Sequence, residues 1–328
     1  MLVLTRPQIE ALLDLDALID ALASAMVDLS DGAASVPDRV AAAVPERGGF
    51  LAAMPGFVPS SAILMSKLVT LFPQNAGGPL PTHQAVILTF DPQTGRPEAL
   101  LDGTAITATR TGAGSALSAR LLARADDSIL AVLGTGVQAR SHARAMCRVR
   151  PISQIRVAGR DPGKVAALAA ELSAALDVEV WAAPSYEAAL DGADIACATT
   201  HAEQPVIRRP WLTPGVHLTS VGYNPAGREI DDATIVDALV CVESRRAALA
   251  PFPAGSLDLL GPISEGVITA EHVHAELGEL VAGTKPGRTS RDQITLYKSV
   301  GVAVQDAAAA ALVIAAARQH GAGEEIEL

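Results

Sequence analysis

The chain has 328 residues, of which 49% are hydrophobic and 19% charged, which is enough for two ordinary domains with real cores. Its net charge of −11 and the absence of a basic cluster argue against nucleic acid and anionic membranes as partners. No apolar run is long enough to cross a bilayer, and the first residues do not read as a signal peptide. Three widely spaced cysteines are typical of a reducing compartment. We therefore expect a cytoplasmic globular protein.

The first part of the chain predicts an α+β domain. Pro7–Leu29 reads as a single helix with an amino-terminal proline, because its apolar residues repeat at helical spacing. Val86–Phe90 and Glu98–Leu101 flank a glycine-bearing turn and predict a β-hairpin. An Ala-rich helix is predicted from Thr104 to about Ala123.

From residue 128 onward, short apolar runs alternate with helical segments. This alternation predicts a parallel sheet with helices on both faces, as in a Rossmann-type, doubly wound α/β domain. Six strands are predicted: Ile129–Gly134, Ile155–Gly159, Val178–Trp181, Ile195–Thr199, Val216–Val221 and Leu239–Val242. Beyond them, Asp292–Arg318 is predicted to be one long helix that returns to pack on the first domain.

The first of these strands runs into the pattern Gly134-x-Gly136-x-x-Ala139, and a helix-compatible segment follows. Gly134 permits a tight turn, Gly136 lets the backbone approach a pyrophosphate, and the small Ala139 lets the helix pack closely. The pyrophosphate would bind the unpaired N–H groups of the helix start, beside the backbone of Val137 and Gln138. The pattern predicts a dinucleotide site. A parallel α/β domain that binds another ligand is the alternative.

The end of the second strand bears on the choice of coenzyme. An acidic residue there usually holds the ribose 2′-hydroxyl of NAD, but this chain has Gly159 at that place, followed by Arg160. A guanidinium can grip a 2′-phosphate, so NADP(H) is the preferred prediction. Two alternatives stay open: Asp161, which comes next, could serve NAD(H), and Arg160 could be a solvated charge at a strand end.

Five passages together resemble the ornithine cyclodeaminase/μ-crystallin family along nearly the whole chain. The passages are Lys67–Asn75, Thr107–Gly112, Gly134–Ala139, Gly222–Asp231 and Tyr297–Asp306. The resemblance implies a homodimer and hydride chemistry at the α-carbon of an amino acid or its imine. It assigns residues 1–120 with 303–328 to an α+β domain for substrate binding and dimerisation, completed by the carboxyl-terminal helix. Residues 121–302 form the Rossmann coenzyme domain.

An amino- or imino-acid substrate brings a carboxylate, which needs cationic partners. Arg39, Lys67 and Arg110 lie among apolar or small residues, and the resemblance places all three around that carboxylate. Taken alone, Lys67 could be an ordinary surface lysine, and Arg110 could face water or a coenzyme phosphate. A lysine buried beside an apolar wall has a lowered pKa and can exchange a proton near neutral pH. The resemblance accordingly makes Lys67 the proton donor to the imine nitrogen.

Asn224 discriminates between members of the family. The resemblance implies an aspartate at this position in true ornithine cyclodeaminases, where it acts as general base. An asparagine amide cannot take up a proton. The asparagine therefore disfavours cyclodeamination and leaves hydride transfer intact. Asn224 also suits the start of a turn before Pro225. It is kept as a substrate-binding candidate.

Further coenzyme candidates are weaker. Ser220, Val221 and Gly222 would face the nicotinamide from a strand end, Ser299 would approach it from the last helix, and Thr111 would bind a phosphate. His83, near the hairpin, is a candidate for contact with the substrate, although a lone histidine in a loop is more often part of the polar surface. Glu229 reads as a solvated charge, and no metal is expected because His272 and His274 lack further ligands.

The sequence therefore predicts an NAD(P)H-dependent oxidoreductase. Reduction of a cyclic ketimine such as pyrroline-2-carboxylate or piperideine-2-carboxylate is preferred, with dehydrogenation of a small amino acid close behind. Ornithine cyclodeaminase is the first alternative. A crystallin-like protein that binds coenzyme or ligand with little turnover is the second.

Overall fold

The computed structural model describes residues 1–224, 226–251 and 254–327. They form two compact units, Met1–Arg110 with Val302–Leu328, and Thr111–Gly301. The strands are β1 Leu2–Leu4, β2 Val40–Val44, β3 Gly49–Val58, β4 Ile63–Leu71, β5 His83–Phe90, β6 Pro97–Asp102, β7 Ile129–Leu133, β8 Gln154–Ala158, β9 Glu179–Ala182, β10 Ile195–Ala198, β11 His217–Ser220, β12 Leu239–Val242, β13 Val273–Glu276, β14 Thr295–Lys298 and β15 Glu324–Glu325.

The α-helices are α1 Arg6–Leu12, α2 Leu15–Ser30, α3 Gly103–Leu122, α4 Val137–Val149, α5 Pro162–Ala175, α6 Tyr186–Leu190, α7 Asp232–Asp237, α8 Arg245–Ala248, α9 Leu257–Ser264, α10 Leu277–Val281 and α11 Ala303–His320. None of the helices in the described ranges is both long and apolar enough to span a bilayer.

The first unit is built on a mixed, mainly antiparallel sheet in the order β15-β1-β6-β5-β4-β3-β2. The predicted hairpin is confirmed, since β5 and β6 pair antiparallel. Helix α11 packs against α2, β3 and β4, and its alanines let it approach closely: a Cβ added at Gly56 of β3 would lie 3.3 Å from the Cβ of Ala303. The core of this unit therefore lies between one sheet face and these helices.

The prediction of one helix over Pro7–Leu29 is wrong in detail, because the chain forms α1 and α2 with a break between them. At the break, the Asp14 side chain accepts a hydrogen bond from the Ala17 backbone N–H at 2.8 Å. An aspartate at this place caps a new helix more favourably than it continues an old one.

The second unit contains an all-parallel sheet in the order β13-β12-β14-β11-β10-β7-β8-β9. The chain starts at β7 in the interior, adds β8 and β9 on one side, and then continues from β10 on the other side. This reversal is the topological switch point of doubly wound folds, and ligands bind there at the carboxyl ends of the strands. The predicted Rossmann fold and its six strands are confirmed.

The prediction of one helix over Asp292–Arg318 is wrong. Residues Thr295–Lys298 form strand β14, which lies fully buried between β11 and β12, and the helix begins only at Ala303. The short run Thr-Leu-Tyr-Lys has no helical periodicity of its own. Gly301 at φ +73° then separates the strand from the Ala-rich helix, because a left-handed conformation interrupts both elements.

Candidate active site

Two cations and one carboxylate meet in the interior of the first unit. Lys67 Nζ lies 2.6 Å from Asp306 Oδ2, and Arg110 Nε lies 3.1 Å from Asp306 Oδ1. The Arg110 Nη1 group also donates to Gln305 Oε1 at 2.6 Å. A guanidinium has five N–H groups, and these two hydrogen bonds use two of them. The cluster therefore holds both cations rigidly and leaves donor capacity for a ligand.

The sequence explains why Lys67 points inward. Side chains alternate across a strand, and in β4 the buried face carries Met65, Lys67 and Val69, whereas Leu68 faces out. The Lys67 side chain is 2% exposed, so the alternative of an ordinary surface lysine is ruled out. The Arg110 side chain is 6% exposed and therefore does not simply face water.

Burial controls the protonation of this cluster. Loss of solvent lowers the pKa of Lys67 to about 8, with Arg110 and Arg39 adding to the effect and Asp306 opposing it. Burial alone would raise the pKa of Asp306, but the charges of Arg110 and Lys67 bring it below its ordinary value. Asp306 therefore stays ionised, and Lys67 exchanges its proton near neutral pH.

Arg39 and His83 belong to the surroundings of the cluster. Arg39 is half-buried, and its positive charge acts on Lys67. His83 lies on the same sheet face as Lys67, and burial together with the charges of Lys67 and Arg110 lowers its pKa to about 4. The neutral imidazole adds no charge, so in the buried cluster two cations, Lys67 and Arg110, share one carboxylate, Asp306. This excess of positive charge suits an anionic ligand.

In the second unit, the glycine loop has the geometry of a phosphate-binding turn. Gly134 has φ +121°, and a Cβ there would lie 2.6 Å from Thr199 Oγ1, so glycine is required by the protein itself. Gly136 has φ −88° and caps α4 without a side-chain hydrogen bond, yet a Cβ there would meet nothing within 4 Å. Neither the backbone conformation nor packing within the protein therefore requires a glycine at position 136. Open space in front of a helix start is what a bound phosphate needs.

Other predicted coenzyme residues also belong to the second unit. Val137 is exposed in the first turn of α4, and Gln138 follows it. Thr111 is buried within α3. A Cβ at Gly159 would approach side-chain carbons of Thr135 and Val165 at 3.1 Å, which explains its small size.

The neighbours of Gly159 have different roles. The Asp161 carboxylate accepts hydrogen bonds from the N–H groups of Gly163 and Lys164 at 2.9 and 3.1 Å and so caps α5. Arg160 is exposed. The acid is thus engaged in the helix cap, whereas the guanidinium is accessible.

Residues after β11 form a hydrogen-bonded loop. Ser220 is fully buried at the end of β11, and Val221 and Gly222 follow it half-buried. The Asn224 amide donates to the carbonyls of His201 and Ala202 at 3.3 and 3.0 Å. Its Oδ1 accepts from the Ala226 N–H at 2.9 Å, which agrees with the turn interpretation; the following Pro225 lies outside the described residues.

Two expectations about this region need correction. Glu229 is not solvated: it is 2% exposed, and its carboxylate accepts hydrogen bonds from Thr200, Ser220 and Gly222. Ser299 does not lie on the last helix but directly after β14, where its hydroxyl donates to the buried Glu243. The misplacement of Ser299 follows from the missed strand.

Sequence reasoning gave no role to several buried polar residues of these clusters: Glu243, Asp258, Lys298, Gln305 and Asp306. One signal was present for the last of them. Asp306 is the only charged residue in the apolar run from Ala303 to Ala317. A single acid in such a helix must be paired if it is buried.

Comparison with known proteins agrees with this geometry. The sequence profile of the ornithine cyclodeaminase/mu-crystallin family matches residues 1–321, and the chain belongs to this family. The ketimine reductase mu-crystallin of Mus musculus is 34% identical over 300 residues, which cover 90% of each chain. The resemblance inferred from the five sequence passages is confirmed.

Solved structures match over the full length. Delta(1)-pyrroline-2-carboxylate reductase of Thermococcus litoralis, in complex with NADH and L-proline, is 39% identical with a TM-score of 0.95 and covers 99% of this chain and 100% of its own. An archaeal alanine dehydrogenase dimer with bound NAD is 30% identical with a TM-score of 0.92 and covers 100% of this chain and 99% of its own. These related structures hold NADH or NAD.

Proposed function

We propose that this chain reduces the C=N bond of a small cyclic ketimine carboxylate, such as pyrroline-2-carboxylate or piperideine-2-carboxylate, with NADPH or NADH. The enzyme class, an oxidoreductase acting on CH–NH groups, is confirmed by the family and its reductase relatives. The observation that carries the substrate proposal is the buried Lys67–Asp306–Arg110 cluster, which combines surplus positive charge with a lysine that titrates near pH 8.

The substrate carboxylate is assigned to the cations of the first unit. Asp306 and Gln305 hold the Arg110 guanidinium through Nε and Nη1, and its other N–H groups are assigned to the substrate anion. Arg39 adds a second positive charge from the edge of the cluster. A charge-assisted hydrogen bond between guanidinium and carboxylate is roughly twice as strong as a neutral one, so this arrangement favours acids over neutral imines.

The proton is assigned to Lys67. When bound, the reduced coenzyme supplies hydride to the imine carbon, and the imine nitrogen must then hold a proton. Lys67 is protonated below about pH 8 and has Asp306 to stabilise its charge. A donor whose pKa lies near the working pH is efficient because it holds its proton and still releases it readily.

We further propose that NADPH is preferred over NADH. The Asp161 carboxylate is used as the cap of α5, and the exposed Arg160 beside it suits a 2′-phosphate. Replacing Arg160 by serine is expected to raise KM for NADPH about tenfold or more and to leave KM for NADH within about twofold. Equal changes for both coenzymes would contradict this preference.

A homodimer is proposed from the outer face of the first sheet. Val40, Ala53, Leu68 and Val86 are cross-strand neighbours from β2 to β5 and form a row of apolar side chains on the face opposite Lys67. Val40 is 67% exposed and Val86 41% exposed. A contiguous apolar row marks an association surface, and the alanine dehydrogenase relative is a dimer.

Cyclodeamination is the less favoured alternative. Asn224 carries no base, and both ends of its amide are engaged in the loop after β11. We therefore expect no release of ammonia from ornithine. Proline formed from ornithine with release of ammonia would instead favour the cyclodeaminase.

The proposed function is tested by mixing the protein with NADPH and a panel of cyclic ketimines and α-amino acids. The readout is the loss of NADPH absorbance. We expect Lys67→Met to lower the turnover of the best ketimine by about 100-fold or more while coenzyme binding is kept. Lys285→Met, at an exposed lysine, is the matched control and should behave as wild type. Near wild-type turnover in Lys67→Met would refute the proton assignment.

Two further outcomes decide between the remaining alternatives. Tight NADPH binding without turnover of any imine would favour the ligand-binding, crystallin-like alternative. Efficient oxidation of alanine without ketimine reduction would favour the linear dehydrogenase.

A further inference from the structure

A ring of buried charges lies at the carboxyl ends of β10, β11 and β14, within the second unit. Its members are Glu229, Lys298 and Asp258, which are linked through the hydroxyl of Ser220. The Lys298 ammonium lies 2.8 Å from Asp258 Oδ2, and Asp258 Oδ1 accepts the backbone N–H groups of Glu229 and Ile230. The ring is therefore closed by hydrogen bonds on every side.

The Glu229 carboxylate joins two loops. Its Oε1 accepts from the N–H and the hydroxyl of Thr200, at 2.6 and 2.7 Å, after β10. Its Oε2 accepts from the Ser220 hydroxyl and from the Gly222 N–H, at 2.7 and 2.9 Å, after β11. All partners are donors, so only an ionised carboxylate satisfies them: a glutamine amide would place its own N–H groups against one pair.

Gly222 is held from both sides by this ring. Its N–H donates to Glu229, and its carbonyl accepts from Lys298 Nζ at 3.0 Å. A Cβ at Gly222 would lie 2.4 Å from both the Glu229 carboxylate and the Thr200 carbonyl. Two opposite charges thus fix the peptide units on the two sides of Gly222, and the glycine is required by the ring itself.

The ring lies on the side of the switch point that carries β10 and β11. The adenosine ribose of a dinucleotide is read at the end of the second strand, here β8, so the nicotinamide half must extend toward β10 and β11. The loops joined by Glu229 are the ones that follow these two strands. Burying charges is costly, and apolar residues often give equal stability. The buried charges of the ring instead fix the geometry of the loops after β10 and β11.

We propose that Glu229 and Lys298 are positioning residues that preset the Thr200 and Val221–Gly222 loops for the nicotinamide ring of the coenzyme. The inference rests on the proposed coenzyme-dependent function. It also gives Ser220 an indirect role in coenzyme binding, as the link between the two charges. The same ring serves NADPH and NADH equally, because it lies away from the 2′-position.

The test compares NADH with ADP-ribose, which has the same adenosine and pyrophosphate but lacks nicotinamide. Binding of both to wild type and Glu229→Gln is measured by titration calorimetry, with thermal unfolding recorded in parallel. We expect Glu229→Gln to weaken NADH binding about tenfold, or about 1.4 kcal/mol, and to leave ADP-ribose within about twofold. Ser220→Ala removes the link between the charges with little loss of volume, and should weaken NADH selectively even if Glu229→Gln fails to fold.

Asp194→Asn is the matched control. This partly buried carboxylate accepts the Ser128 and Ile129 N–H groups at the amino ends of the strands, so its loss should lower stability without changing the ratio of the two affinities. Equal weakening of NADH and ADP-ribose in a folded ring variant, or unchanged NADH binding, would overturn the inference. Failure of wild type to bind NADH would overturn the proposed function and this inference with it.

Discussion

Replacement of Asp306 by asparagine is expected to move the pH dependence of the reaction. The carboxylate lies 2.6 Å from Lys67 Nζ and is the main influence that raises its pKa, whereas burial, Arg110 and Arg39 lower it. With the pKa at about 8, about nine-tenths of the lysine is protonated at pH 7. Asparagine keeps the shape and removes the charge, so the lysine pKa must fall below about 8.

The size of the shift follows from the ion pair. Two charges about 4 Å apart interact by about 4 kcal/mol at an effective dielectric constant of about 20, and this pair is closer, so the value is a lower bound. One pKa unit corresponds to about 1.4 kcal/mol, which makes a fall of at least about 2 units. The protonated fraction of Lys67 at pH 7 then drops to about a tenth or less. We expect imine reduction at pH 7 to slow about tenfold or more.

The assay is the pH profile of kcat/KM for ketimine reduction, from pH 5 to 9, with the same substrate for every variant so that its own titration cancels. Wild type should lose activity as the pH rises through about 8, and Asp306→Asn should lose it at least about 2 units lower. Glu98→Gln, which breaks the exposed ion pair with Arg318, is the control and should keep the wild-type profile. If kcat/KM of folded Asp306→Asn still falls only near pH 8, the reasoning is refuted.

Three further predictions concern other parts of the molecule. Gly136→Ala should abolish tight NADPH binding by calorimetry with an unchanged Tm, whereas Gly134→Ala should lower the Tm itself; the reverse pattern would contradict the loop geometry. Burial lowers the pKa of His142 to about 4 and that of His217 to about 3, so the unfolded state binds more protons below about pH 6.5. The free energy of unfolding in urea should therefore fall by up to about 3 kcal/mol per histidine as the pH drops from 6.5 toward 4, and a flat profile would contradict this. Leu68→Asp should convert dimers into monomers in sedimentation equilibrium, and an unchanged mass would count against the sheet interface.

The second unit was largely predictable from the sequence because its signals are local. A strand, a tight glycine turn and a helix follow one another within a dozen residues at Gly134, and apolar runs mark the strands buried on both faces. Strand β14 was not predicted because only four residues form it, next to a strongly helical stretch. Its neighbours in the sheet, β11 and β12, are distant in sequence, so no local pattern announces the pairing.

The cationic cluster was predictable only in part. Lys67 and Arg110 could be identified from sequence passages, and the alternation in β4 turns the lysine inward. Their common partner could not be derived in the same way, since Asp306 lies 239 positions after Lys67. Glu229 shows the same limit. A glutamate in a loop ordinarily faces water, and only the fold brings four donors around it.

The division of the first unit into two chain segments has a consequence for synthesis on the ribosome. Thr111–Gly301 is contiguous, so the second unit has all its strands once Gly301 has emerged, and units of this kind generally fold as they are completed. Val302–Leu328 emerges afterwards and brings Asp306 to cations made more than 190 residues earlier. Until then Lys67 and Arg110 lack their counterion. The nascent protein therefore completes the unit with the glycine loop first, and the unit with the Lys67–Asp306–Arg110 cluster is the last to take shape.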